Sequence, residues 1–338
     1  MNNVRRVLLI LIGGASIAFM AYALFAGWET ILAALERPGA PAILARAVAV
    51  YILAAALLGL GSAVLARMLL SDARYARIMA VFFLAQAARY LPGNVAHLVG
   101  RITLSKEVGL DRLAASTALA IELVTLAAVA ALAALYLAPQ LVLAEAVLWP
   151  VAAAAAGLLG LAIGLLLLVR RMPKADRFRA AVGRLAEHAA NLMRVRNVPY
   201  LLGYLVIAAL CFILLGVFLR ETLRVIDPAS VSQLDILRAT VVFATAWLFG
   251  FLTPGAPAGI GAREAALVLL LSPIAGREVS LAVAVLSRAL SVLGDGIITL
   301  IGAALYAAAR ERPLKANPQD PEDAIAAKAV SLVRSEPR

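Results

Sequence analysis

Six stretches of this chain are apolar for about the length an α-helix needs to cross a bilayer core, roughly 20 residues. They run from Val7 to about Ala26, Ile43 to Leu65, Leu113 to Leu137, Pro150 to Val169, Tyr200 to Leu219 and Val279 to Ala308. In hydrocarbon every backbone N–H and C=O must be satisfied within the protein, which leaves helices or closed barrels as the only spanning folds. Aromatic content of 6% and an abundance of Ala and Leu favour closely packed helices over the short alternating strands of a barrel. With 64% hydrophobic residues and a mean hydropathy of +0.94, against roughly 45–50% apolar for a soluble domain, the fold class is an all-α integral membrane protein.

The remaining composition excludes whole classes of chemistry. Cys211 is the single cysteine and lies in mid-run, so neither a disulfide framework nor a thiolate cluster is available. His97 and His188 are far apart, so no metal site is expected, and no nucleotide-binding loop or paired-carboxylate pattern marks a cofactor or catalytic residues. A net charge of +11 raises the question of nucleic acid. The basic residues sit in short loops between apolar runs, which fits topology control and contact with anionic inner-leaflet lipids and predicts no nucleic-acid partner.

Basic residues also set the predicted orientation. Arg5-Arg6 precede the first run and place the N-terminus in the cytoplasm; the alternative is a cleaved signal peptide ending at Ala21-Tyr22-Ala23, for which the run is long. The loop from Pro139 to Trp149 has Glu145 and no Lys or Arg, and reads as external, with Trp149 an interfacial anchor. The segment from Arg170 to Asn197 is strongly basic, with Phe178, Val182, Leu185, Ala189 and Leu192 at helical spacing. It reads as an amphipathic helix on the inner leaflet or as a solvated loop helix. The tail 313–338 is expected to be disordered and cytoplasmic.

Two apolar stretches do not fit a simple crossing. Leu91 to Arg101 reads LPGNVAHLVGR, and Thr253 to Arg263 reads TPGAPAGIGAR; in each, Pro-Gly (Pro92-Gly93, Pro254-Gly255) is followed by an arginine nine residues after the proline. Short apolar segments flank both breaks, and a membrane helix tolerates Pro and Gly there only where other groups satisfy the freed backbone. The expected architecture is therefore about six full transmembrane helices plus two re-entrant broken helix pairs, 78–106 entered from the cytoplasm and 236–271 from outside. Residues 1–138 form one repeat and 139–312 a second of inverted topology, a plan recurrent in secondary transporters. Threading the pairs as full crossings gives eight or more helices instead.

Charges inside apolar segments cost at least about 2.5–3.5 kcal/mol on insertion scales and need partners or a wet cavity. Here they are Arg89, Arg101, Glu122, Arg263, Glu264, Arg288 and Asp295. Arg101 and Arg263 are the candidate phosphate holders, because a forked guanidinium beside a glycine-bearing break suits an anion; the competing role is snorkelling to the headgroups. Glu122 paired with Arg288, or Arg288 with Asp295 two turns along one face, would be helix-locking ion pairs. His97 is a candidate titratable group or a hydrogen-bonding structural one. Gly93, Gly255 and Gly261 read as breakers and close-packing positions.

RYLPGNVAHLVGR with KEVGLDRLAASTALAIELV, and LTPGAPAGIGAREAALVLLL with the arginine of VLSRAL, together resemble the lysylphosphatidylglycerol synthase/flippase transmembrane family over nearly the whole chain up to about Arg312. The resemblance implies a lipid-translocating membrane domain and carries over Pro92, Gly93, Arg101, Glu122, Pro254, Gly255, Gly261, Arg263, Glu264 and Arg288. No counterpart is expected of the aminoacyl-transferase domain fused to some members. The expected function is a non-enzymatic lipid flippase of the inner (cytoplasmic) membrane, both termini cytoplasmic. It moves an amphiphile with an anionic or zwitterionic headgroup (phospholipid, aminoacyl-phospholipid or polyprenyl-phosphate-linked lipid) by alternating access. The alternatives are a non-transporting scaffold that partners an envelope glycosyltransferase or lipid-modifying enzyme, and a membrane-embedded transferase using Glu122 or Glu264 as base.

Overall fold

The computed structural model describes residues 3–69, 75–90, 96–105, 112–137, 194–253 and 257–310. Among them there is no strand. The helices are α1 (Asn3–Leu35), α2 (Ala40–Leu69), α3 (Tyr75–Ala85), α4 (Ala96–Leu104), α5 (Arg112–Leu137), α6 (Val198–Ile226), α7 (Ile236–Leu252), α8 (Ala262–Ala275) and α9 (Arg277–Arg310), with a 3-10 turn at Gln86–Tyr90 extending α3. Five of these, α1, α2, α5, α6 and α9, are long and apolar enough to cross a membrane. This is the architecture of a multi-pass membrane protein.

Two helices run past the ends of their apolar stretches, which close near Ala26 and at Leu219. α1 continues through Glu29, and α6 continues through Arg220, Glu221 and Arg224. Near the end of α6 the charges are neutralised within the fold: Glu221 pairs with Arg224 and, at 3.2 Å, with Arg46 of α2. Arg220 donates to the Leu234 carbonyl at 2.6 Å. The helix stops instead at Asp227-Pro228, where proline cannot continue the ladder. α7 starts where the Asp235 carboxylate accepts from the Arg238 N–H at 2.8 Å, an N-cap that places Arg238 in the first turn rather than within the apolar run. α8 extends beyond Leu271, carrying Pro273 in its last turns, and ends at Gly276 with φ 78°. The expected crossing at 150–169, the external loop with Trp149, the basic connector up to residue 193, the tail 313–338, and Pro92, Gly93, Pro254 and Gly255 lie outside the described residues.

α9 is the central element. Of its apolar window 72% is buried, against 22–39% for the other four long helices, which turn side chains such as Phe25, Val124 and Leu132 outward. α2 lies along α6, α3 along α9, and α5 along α7. α7, at 17 residues, spans only about 25 Å at 1.5 Å per residue, short of a core of about 30 Å. It packs closely on α6 because Gly216 has no side chain: a Cβ there would sit 2.6 Å from the Thr240 backbone N and Cα. Gly216→Ala is therefore expected to lower stability by about 1–3 kcal/mol through overpacking, read as a reduced Tm in detergent. Gly203→Ala, on the same helix with nothing within 4 Å, should leave Tm unchanged or slightly raised.

Candidate functional site

The arms on either side of the two breaks meet inside the bundle. A cavity of about 170 Å³ is lined by Arg89, Tyr90, His97 and Arg101 from the first, and by Gly250, Phe251, Ala258 and Arg263 from the second. α5 contributes Glu122, α2 Tyr51, and α9 Arg288 and Asp295. Arg101 and Arg263 thus line one cavity, although 162 residues of chain separate them. The volume lies below the roughly 300–1,000 Å³ of pockets that enclose drug-sized ligands, so the space suits a small headgroup, not a whole amphiphile.

The two carboxylates that line this space, Glu122 and Asp295, and Glu264 just behind it are each held by arginine, in three separate clusters. Glu122 (4% exposed) accepts from both terminal nitrogens of Arg101, each at 2.7 Å, a forked pair that matches guanidinium to carboxylate. Ser62 of α2 completes it, donating to Glu122 at 2.6 Å and accepting from Arg101 at 3.0 Å. The guanidinium also lies over the Phe82 ring, 4.8 Å from its centroid, so the charge is flanked by a carboxylate and a π face.

Asp295 is the second hub. Its carboxylate accepts from the Tyr51 hydroxyl at 2.9 Å, the Tyr90 hydroxyl at 2.6 Å and Arg89 at 3.2 Å. These bonds tie the last turn before the first break to the central helix. Gly294 makes the approach possible, since a Cβ there would lie 2.4 Å from the Tyr51 ring.

Glu264, fully buried, is the third. One carboxylate oxygen accepts from the Gly261 N–H at 2.7 Å, closing the first turn of α8. The other is shared by two cations, Arg263 Nε at 3.0 Å and Arg288 Nε at 2.9 Å. Arg288 also donates from both terminal nitrogens, at 3.3 Å, to the Ala258 carbonyl. Ala258 is left-handed, with φ 50°, the sole non-glycine residue with positive φ among those described. That conformation costs an L-residue about 1–2 kcal/mol, and here it accompanies a carbonyl aimed at a buried cation. Next to it, Gly259 (φ 68°) passes so close to α7 that a Cβ would meet the Gly250 backbone at 2.7 Å.

The pairing differs from the expected one. Glu122 does not reach Arg288, nor does Arg288 pair with Asp295; each break arginine is instead claimed by a carboxylate near it, and Asp295 is claimed by Arg89. The reason is proximity: Arg101 of α4 reaches Glu122 of α5, and Glu264 of α8 reaches Arg288 of α9. Arg89, His97, Arg101, Glu122, Arg263, Arg288 and Asp295 all line the cavity, while Glu264 lies behind its two arginines. Gly261, with φ 86°, is the N-cap of α8, as a break residue should be. Sequence reasoning missed Tyr51, Ser62, Gln86 and Tyr90. Uncharged hydroxyls and amides are cheap enough in an apolar helix to raise no alarm, and only their contacts reveal them.

No group of three or more metal-ligating side chains occurs among the described residues. Comparison with protein-family models, curated proteins and solved structures finds no match to this chain.

Proposed function

We propose that this chain is a lipid translocator that passes the headgroup of an anionic or zwitterionic amphiphile through the arginine-lined cavity while its acyl chains stay in the bilayer. The observation that carries the reading is the convergence of Arg101 and Arg263, one from each break, on a single cavity lined by four arginines inside an apolar bundle. Buried charge of this density is costly in a membrane and marks substrate pathways. The helix contacts support an inverted repeat with two re-entrant pairs. A two-fold relation that exchanges α2 with α6, α3 with α7 and α5 with α9 maps α2–α6 onto itself and α3–α9 onto α5–α7, and all three contacts are present. In this reading α3/α4 and α7/α8 are the re-entrant pairs, and residues 1–138 and 139–312 are the repeats. The cavity opens alternately to the two leaflets of the cytoplasmic membrane, with both termini inside. The motif resemblance to the lysylphosphatidylglycerol synthase/flippase transmembrane family points the same way.

The test is reconstitution in liposomes with fluorescent phospholipid and an impermeant quencher. The parent is expected to expose inner-leaflet label faster than protein-free vesicles, and Arg101→Gln/Arg263→Gln to lose at least about tenfold of that rate, as removal of two charge-assisted contacts implies. A parent no faster than empty vesicles refutes transport and leaves the scaffold reading.

A further inference from the structure

The two break arginines occupy matching places in the sequence, yet their surroundings are unequal. Arg101 meets one carboxylate with both terminal nitrogens and has no further partner to satisfy on Glu122. Arg89 likewise answers Asp295, with two tyrosines to spare. At Glu264 two guanidiniums share one carboxylate oxygen, so this cluster alone carries a positive charge in excess. Arginine stays protonated in proteins, so the excess cannot be removed by losing a proton. It is also incompletely bonded: Arg263 is 7% exposed, and its Nη2 has no hydrogen-bond partner among the described residues. The guanidinium lies over the Phe243 ring, 5.4 Å from its centroid, as that of Arg101 lies over Phe82, and this N–H is left without an oxygen acceptor. The cavity and the Glu264 behind it repeat the sum, with Arg89, Arg101, Arg263 and Arg288 against Glu122, Asp295 and Glu264.

We infer that the headgroup seat lies at the second break, where Arg263 and Arg288 bind one singly charged phosphodiester whose headgroup carries no cation of its own, and that Arg101 is a positioning residue. The inference deepens the translocation reading and rests on it for the lipid nature of the ligand. A single negative charge neutralises the cluster; a zwitterion brings its own cation next to two guanidiniums, and a dianion overshoots. The small cavity agrees with a phosphodiester.

The full-length protein in detergent would be titrated with phosphatidylglycerol, phosphatidylcholine and dimethyl phosphate, following Tm and binding. Phosphatidylglycerol is expected to bind at least about tenfold tighter than phosphatidylcholine. Arg263→Gln leaves Arg288 and Glu264 paired one to one, so it should fold with an equal or higher Tm without ligand while losing that preference. Arg263→Lys keeps the charge and should keep the preference in part. A response to dimethyl phosphate that needs Arg263 supports the seat and shows that it takes the oxyanion without chains; a response to phosphatidylglycerol alone supports it as a lipid site. Equal binding of the two lipids, or a preference that survives Arg263→Gln, overturns the assignment. Vesicles separate the two claims: lipid movement without an Arg263-dependent preference refutes the seat only, and Arg263-dependent binding without movement refutes transport only.

Discussion

Glu264→Ala is expected to leave little folded protein. The carboxylate is fully buried and is the common partner of Arg263 and Arg288. Removing one member of a buried ion pair costs about 3–5 kcal/mol, because the other charge is left without compensation. Here two guanidiniums lose their anion at once and face each other within a low-dielectric interior. The Gly261 N–H loses its acceptor as well, at about 1–3 kcal/mol for a buried orphan donor. Against a total stability on the order of 5–15 kcal/mol, the sum of about 4–8 kcal/mol removes a large part of it and, at the lower end, all of it. Size-exclusion chromatography in detergent should show aggregation or a severely reduced yield, and whatever remains monodisperse should melt well below the parent. Arg263→Gln is the internal control, since it removes a cation and leaves the carboxylate matched. Equal yields and Tm for Glu264→Ala and the parent would contradict the three-membered cluster.

How much of this was legible before the structure follows from what each signal depends on. The long apolar helices and the interruptions around residues 91 and 254 follow from composition and from proline and glycine, which act locally, so the sequence displays them directly. Helix ends were less legible: Glu221 and Arg224 look like loop residues until Arg46, on a helix more than 150 positions away, is seen beside them. The seven charges within apolar segments and His97 could be picked out because charge in an apolar run is rare enough to stand out by itself. Their pairing could not. Whether Glu122 meets Arg101 or Arg288 depends on where α4 lies relative to α5 and α9, and nothing within Ala96–Leu104 encodes that position. The inequality between Arg101 and Arg263 was only half visible: Glu264 stands next to Arg263 in the sequence, but the second claimant on its carboxylate, Arg288, comes from another helix.

Cutting the Arg101–Glu122 pair from either side should be severe, and cutting it from both sides should be far milder. Glu122→Ala strands a guanidinium whose side chain is 15% exposed, and Arg101→Ala strands a carboxylate that is 5% exposed. Breaking such a pair costs about 3–5 kcal/mol for the first change, somewhat less for the second, because an isolated carboxylate can take up a proton while an arginine cannot lose one. Arg101→Ala/Glu122→Ala leaves no uncompensated charge, only a small cavity and the Ser62 hydroxyl, which can turn to a backbone carbonyl. The double-mutant cycle in detergent is therefore expected to give a coupling of about 2–3 kcal/mol, the upper part of the range for residues in contact, with the double variant more stable than Glu122→Ala alone. A coupling near zero would mean that water already screens the pair and that α4 is not tethered to α5 through it. The same double variant bears on the roles of the two arginines. With Arg101 a tether and Arg263 the seat, it should still discriminate phosphatidylglycerol from phosphatidylcholine while moving lipid more slowly, since the arm that carries Arg101 is no longer anchored. Loss of that discrimination in a well-folded double variant would transfer the anion contact to the first break.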